Sequence, residues 1–196
     1  MSAAIALVVG LGNPGQQYQF NRHNAGAMFL ASLARTYKGE LKPEARFKGW
    51  TGRIEVNGLE VRLLFPTTFM NKSGDSVQHL AQFYKLEPAQ ILVAYDELDL
   101  PLGTTRLKTG GGHGGHNGVR DVIRALGSAD FARLRLGIGH PGDASLVLNY
   151  VLGNFKKPEE PVFEEEVGKA VALMPLLAKG NIQIAMNQLH TKPKET

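Results

Sequence analysis

Three short apolar runs, each closed by a loop of small and polar residues, leave this chain few folds to choose from. Ile5 to Val9 ends in GLGNPG, Glu60 to Phe65 leads into PTTFMNKSG, and Ile91 to Tyr95 stops at DELDLP. Runs this short with so few polar breaks suit buried strands. After the first loop Ala27, Leu30, Ala31 and Ala34 keep helical spacing, as do Val77, Leu80, Ala81 and Tyr84 after the second. Strand, polar loop and helix thus recur in this order, and in α/β proteins loops at strand ends commonly carry the chemistry. Lys38 to Pro66 reads as a meander, with Phe47 to Val56 and Glu60 to Phe65 flanking the hairpin signal Asn57-Gly58.

Bulk properties narrow the class. At 196 residues and 43% hydrophobic content the chain supports one well-buried core, most simply a single domain. Ala3 to Val9 has no basic segment before it and ends in Gly10, so it fits a strand better than a signal peptide, and the expected location is cytoplasmic. The absence of cysteine excludes a disulfide framework and thiol catalysis, leaving histidine and carboxylates as the strong metal ligands. A formal charge of +4 is compatible with a polyanionic partner but is shared by many unrelated proteins.

Lys108 to Asn117 reads KTGGGHGGHN. So many glycines raise the entropy cost of ordering a loop, which is understandable if backbone must come close to a ligand. Val119, Val122, Ile123 and Leu126 then predict a helix, and a loop feeding a helix N-terminus is suited to an anion or phosphate. The competing reading is a flexible surface loop, against which stand the paired histidines. Gly103 to Lys108 is read as a strand entering the loop. Arg133 to Ile138 alternates, placing Arg133 and Arg135 on one face and Leu134 and Leu136 on the other. Lys108 and Arg135 could form a phosphate clamp beside the loop; otherwise they are a solvated face.

The first loop carries Asn13, Tyr18 and His23. Gly10, Gly12 and Gly15 match a dinucleotide fingerprint, but Pro14 precedes the third glycine, the helix starts later, and no strand ending in an acidic residue follows at the required distance. His23 is the candidate general base, since an ordinary imidazole titrates near 6.5. Asp96, at the end of the third apolar run, is its candidate orienting carboxylate, whereas Glu97 and Asp99 are expected in a solvated turn. Asn71 offers a donor and an acceptor, while Phe69 and Met70 are expected as core plugs or substrate contacts. Further on, Gly142 to Phe155 reads as a short helix able to act as a lid, Glu159 to Leu177 as an acidic-faced helix, Asn181 to Leu189 as a last helix, and residues 191–196 as a disordered tail.

Taken together, GLGNPG, Tyr18, RHNAG, PTTFMN, DELDLP, KTGGGHGGHNG and RLRLGIGHPG, in this order and spacing, resemble the bacterial type of peptidyl-tRNA hydrolase over nearly the whole chain up to the C-terminal helices. The resemblance implies a monomeric, cofactor-free and metal-independent esterase that releases stalled peptides from tRNA at the 3′-terminal ribose. It also implies one α/β domain over residues 1–190, with a mixed twisted β-sheet enclosed by α-helices. Carried over, the base falls on His23 with Asp96 stabilising its protonated form, and Asn13 distinguishes an N-blocked peptidyl group from a free aminoacyl group. Tyr18, Phe69, Asn71 and Asn117 match substrate-binding positions, with His116 near the tRNA acceptor end and Lys108 with Arg135 at its phosphates. Tyr95 replaces a histidine found before the aspartate in some relatives. Two competing readings are a metal hydrolase using His113 and His116, and an RNA-binding protein without hydrolytic activity, as in chloroplast relatives that act in intron splicing.

Overall fold

A computed structural model describes residues 2–191, built around a seven-stranded mixed sheet in the order β2-β3-β4-β1-β5-β7-β6. In chain order the elements are β1 (Leu7–Gly10), α1 (Ala25–Thr36), β2 (Lys42–Glu44), β3 (Gly49–Val56), β4 (Leu59–Pro66) and α2 (Ser73–Phe83). There follow β5 (Ile91–Glu97), β6 (Thr105–Thr109), α3 (Asn117–Leu126), β7 (Ala132–Gly137), α4 (Val147–Val151), α5 (Glu160–Val171), α6 (Met174–Ala178) and α7 (Ile182–His190). β1 lies at the centre, parallel to β4 and β5, and β5 is parallel to β7. The hairpin partner β3, the short β2 and the edge strand β6 run antiparallel to their neighbours.

The runs of β1 and β5 are buried on both faces, whereas in β4 Glu60 is exposed and Arg62 and Phe65 are half-buried. Val8, Leu92, Ala94, Leu134 and Leu136 point into one core with α1, α5, α6 and α7. Leu7, Val9, Ile91, Val93 and Tyr95 point into a second core with α2 and α3. The three loops that the sequence places after strands therefore meet at one edge, beyond the carboxyl ends of β1, β4 and β5, where open α/β sheets place ligands.

Two glycines bring α1 unusually close to that edge. A Cβ at Gly26 would lie 2.1 Å from the Ala94 carbonyl oxygen, and one at Gly10 would lie 2.5 Å from that of Gly26. Because neither position carries a side chain, the helix start rests directly on β5, which brings the turn holding His23 beside Asp96. Gly10 and Gly12 thus serve helix-to-strand packing; a Cβ at Gly12 would meet the Asn24 amide at 2.8 Å.

Two expectations are corrected. Phe47 belongs to a 3-10 turn at Ala45–Phe47 rather than to β3. The helix expected from Glu159 to Leu177 is two helices, with α5 ending at Val171 and α6 beginning at Met174. Pro175 explains the break: it has no N–H to continue the ladder and crowds the preceding turn. The short helix expected within Gly142 to Phe155 is present as α4, preceded by a 3-10 turn at Ala144–Leu146. Of the expected tail, Thr191 is exposed and residues 192–196 lie outside the described residues. Among the described residues no helix is long and apolar enough to cross a membrane.

Candidate active site

The turn Arg22–Asn24 carries His23, and β5 carries Asp96 near its carboxyl end. His23 Nδ1 lies 2.8 Å and 3.0 Å from the two Asp96 carboxylate oxygens. Burial alone would raise the Asp96 pKa, but the charge and hydrogen bonds of His23 and His116 outweigh it and hold the carboxyl well below the usual carboxylate range. An ionised carboxylate can only accept, so His23 Nδ1–H donates to it and Nε2 keeps its lone pair. For the imidazole, burial opposes the charged form, yet the Asp96 charge and hydrogen bond prevail and the pKa is raised above its ordinary value.

His116 completes the cluster, a contact that sequence reasoning missed. Its Nε2 lies 2.7 Å from Asp96 Oδ1. Its Nδ1 accepts from the N–H groups of Gly118 and Val119 at 3.2 Å and 3.3 Å, capping α3. Those acceptances fix the tautomer, so the Nε2–H donates to Asp96. The His116 ring lies 5.0 Å from both the His23 ring and the edge-on Tyr95 ring, between centroids. Residue 95, without a role in the sequence reading, thus walls in His116. The side chains of His23, Asp96 and His116 also lie close enough to hold a metal ion. Their nitrogen-to-oxygen contacts of 2.7 and 2.8 Å are nevertheless hydrogen-bond lengths, whereas tetrahedral zinc ligands about 2.0 Å from the ion stand roughly 3.3 Å apart.

The asparagines are placed by backbone bonds. Asn13 is buried, and its carbonyl oxygen accepts from the Met70 N–H at 2.8 Å, so the loops after β1 and β4 are joined and its amide NH2 remains as donor. Asn24 holds the same loop, accepting from Asn13 N–H and donating to Asn13 C=O, both at 2.9 Å. The RHNAG segment contained this signal, since a buried amide beside a catalytic candidate needs partners for both ends. Asn71 is exposed in the turn Met70–Lys72, Phe69 is 61% exposed and Met70 is buried. Of that pair, only Met70 is a core plug. Tyr18 is half-buried in the turn Gln16–Tyr18, and Asn117 is exposed at the start of α3, its oxygen accepting from Arg120.

On the other side of β5 lies a basic group. Arg133 is wholly buried and donates to the carbonyls of Gly111, Gly112 and Ala129. Those carbonyls face inward, which turns the N–H groups sharing the same planar peptides away from Arg133. Glu97 is also buried rather than solvated, and is held by Arg135 at 2.7–2.8 Å, while Asp99 is exposed. Burial, then the charges of Arg133 and Arg135, push the Lys108 ammonium pKa down, so three cations share this corner. His113 accepts from Gly115 N–H within the glycine loop and does not join the His23 cluster.

The chain is similar to known proteins over nearly its whole length. Residues 7–196 match the family model described as peptidyl-tRNA hydrolase. The chain is 52% identical over 191 residues to peptidyl-tRNA hydrolase from Marinobacter nauticus, covering 97% of each chain. It is 53% identical over 189 residues to that from Saccharophagus degradans, covering 96% of each. The crystal structure of peptidyl-tRNA hydrolase from Acinetobacter baumannii superimposes with a TM-score of 0.94 at 46% identity, covering 97% of each chain.

Proposed function

The chain belongs to the peptidyl-tRNA hydrolase family, and from that premise we propose how its own residues hydrolyse the ester between a peptide and the 3′-terminal ribose of tRNA. The observation that carries the reading is Asp96, which accepts from His116 and from His23 Nδ1 and leaves His23 Nε2 as a base at the edge where the three strand-end loops meet. A water held at Nε2 loses its proton to the imidazole as its oxygen attacks the ester carbonyl. The imidazolium that forms is stabilised by Asp96. His116, its Nδ1 occupied by backbone N–H groups, keeps the carboxylate in place without competing for the proton. The Asn13 amide NH2 and the Asn71 amide supply donors for the carbonyl oxygen as it gains charge and for the N-blocked end of the peptide. The tetrahedral intermediate collapses by expelling the ribose oxygen, which takes its proton from His23. No covalent enzyme intermediate and no metal or other cofactor enter these steps.

Binding falls to groups around this centre. Tyr18 and Phe69 flank the peptidyl end, Asn117 and His116 the CCA end, and Lys108 with Arg135 meets phosphates of the acceptor stem. Burial, and then the charges of Arg133 and Arg135, hold the Lys108 pKa down, and a bound anion would favour its charged form. In the cell the protein acts as a cytoplasmic monomer, recycling tRNA from peptidyl-tRNA released prematurely during translation. Hydrolysis of N-acetyl-aminoacyl-tRNA beside the same unblocked aminoacyl-tRNA, with EDTA present, tests the reading. Cleavage of the blocked substrate alone, lost in His23→Ala, is expected. Tight tRNA binding without cleavage would instead support a non-hydrolytic RNA-binding role.

A further inference from the structure

Arg22 is a buried charge beside the catalytic base that the mechanism above does not use. Its backbone N–H donates to Gly153 C=O at 2.9 Å, and Asn21 forms a β-bridge with Asn154, reinforced by a side-chain bond of 2.8 Å. The guanidinium reaches further into the C-terminal third. Nη2 lies 3.0 Å from Glu159 Oε2, Nη1 donates to Tyr150 C=O at 3.2 Å, and the guanidinium carbon sits 4.2 Å from the Tyr150 ring centroid and 5.6 Å from that of Phe155. Glu159 Oε2 also accepts from Lys156 N–H at 2.7 Å, so the carboxylate is itself fixed. Arg22 Nε is buried without a partner, so the guanidinium depends on its two bonded arms.

Three consecutive side chains thus leave one short turn in three directions: Arg22 to Glu159 and Tyr150, His23 to Asp96, and Asn24 to Asn13. We propose that Arg22 is a positioning residue for the hydrolysis, fixing the His23 turn against the segment from Tyr150 to Glu159 through its bonds to the Glu159 carboxylate and the Tyr150 carbonyl. The inference rests on His23 as the base. It brings α4 and the start of α5 into the reaction as the support against which His23 is aimed. Loss of either partner strands a poorly solvated charge and frees the turn to tilt, which lengthens the His23–Asp96 contact. The backbone bond to Gly153 and the Asn21 bridge persist, so the loss is graded rather than complete.

The test uses the full chain carrying Glu159→Gln, Arg22→Lys, Arg22→Met or His23→Ala. For each, kcat and KM on N-acetyl-aminoacyl-tRNA are measured across pH, together with Tm. Glu159→Gln should lower kcat about tenfold with KM within about twofold, since a misplaced base loses turnover rather than binding. Its acid limb should move to lower pH as the support from Asp96 weakens. Arg22→Lys, which keeps the charge but not the forked contact, should lose less than Arg22→Met. Wild-type kcat and acid limb in Glu159→Gln and Arg22→Lys, with only Tm lowered and His23→Ala inactive, would reduce the pair to a strut and overturn the inference alone. Should His23→Ala retain activity, the base assignment and this inference fall together. If the Arg22 variants do not fold, Glu159→Gln, at the more accessible end of the pair, decides the question.

Discussion

The His23 cluster, anchored on β5, and the glycine loop, which leaves β6 with β7 between the two strands, are built on opposite principles. Around Asp96 the side chains satisfy one another: two imidazoles point at one buried carboxylate, and each tautomer is fixed by its neighbours. At Gly110 to Gly115 there is little side chain to satisfy, and order comes from behind, through a wholly buried Arg133 bonded to loop carbonyls. A proton-transfer centre needs atoms fixed to fractions of an ångström and is therefore closed on itself. On the function proposed above, the loop corner is a phosphate site, which needs positive charge and open backbone and is incomplete until the anion arrives.

The largest effects should fall on the first region. His23→Ala and Asp96→Asn are expected to lower kcat by about 10²–10⁴-fold while tRNA binding, read by filter retention, stays near wild type. A parallel collapse of binding would show that the two regions are not separable. Arg133→Leu should act on the second. Losing the charged hydrogen bonds to the loop is expected to cost roughly 2–3 kcal/mol of stability and to raise KM with little change in kcat. Equal losses in kcat and kcat/KM would place the glycine loop in the chemistry.

The acid limb of kcat/KM gives a finer contrast. A base works when neutral, and Asp96 holds the His23 pKa above 6.5, so activity should fall as pH drops through a value above 6.5. In Asp96→Asn the raising influence is gone while burial still disfavours the cation. The limb of the residual activity should therefore move below the wild-type position, and an unmoved limb would assign it to another group. Lys108→Ala should weaken tRNA binding several-fold and flatten the log–log salt dependence by about 1, as expected for one lost phosphate contact. Exhaustive chelation should have the smallest effect, none on rate; a loss restored by zinc would recast the His23 cluster as a metal centre.

The parts legible in the sequence are those written in local periodicity or at strand ends. Central strands, their polar loops, His23 and Asp96 were visible because apolar runs of strand length stop abruptly at them. The burial of Arg133 was half visible: alternation put it on one face with Arg135, but a cover of glycines leaves no apolar signal to say that the face is closed. Glu97 was misread for a related reason, since its partner Arg135 sits 38 residues away on β7. The His116–Asp96 and Arg22–Glu159 contacts span 20 and 137 residues and follow from strand order, which no local pattern encodes. The end of α5 was readable in principle from Pro175, but the apolar spacing continuing to Leu177 masked it.

The sheet order also dictates when this protein can first act. The first strand made, β1, ends up between β4 and β5, and β5 is flanked on its other side by β7, whose last residue is Gly137. His23, Asn71, Asp96 and His116 are therefore synthesised before the frame that brings them together is complete. A nascent chain truncated before β7 lacks the neighbour that covers β5, and chains are elongated far more slowly than secondary structure forms. By then the residues proposed for the chemistry have been made, and the emerging chain waits for about two-thirds of its length before β7 can cover β5.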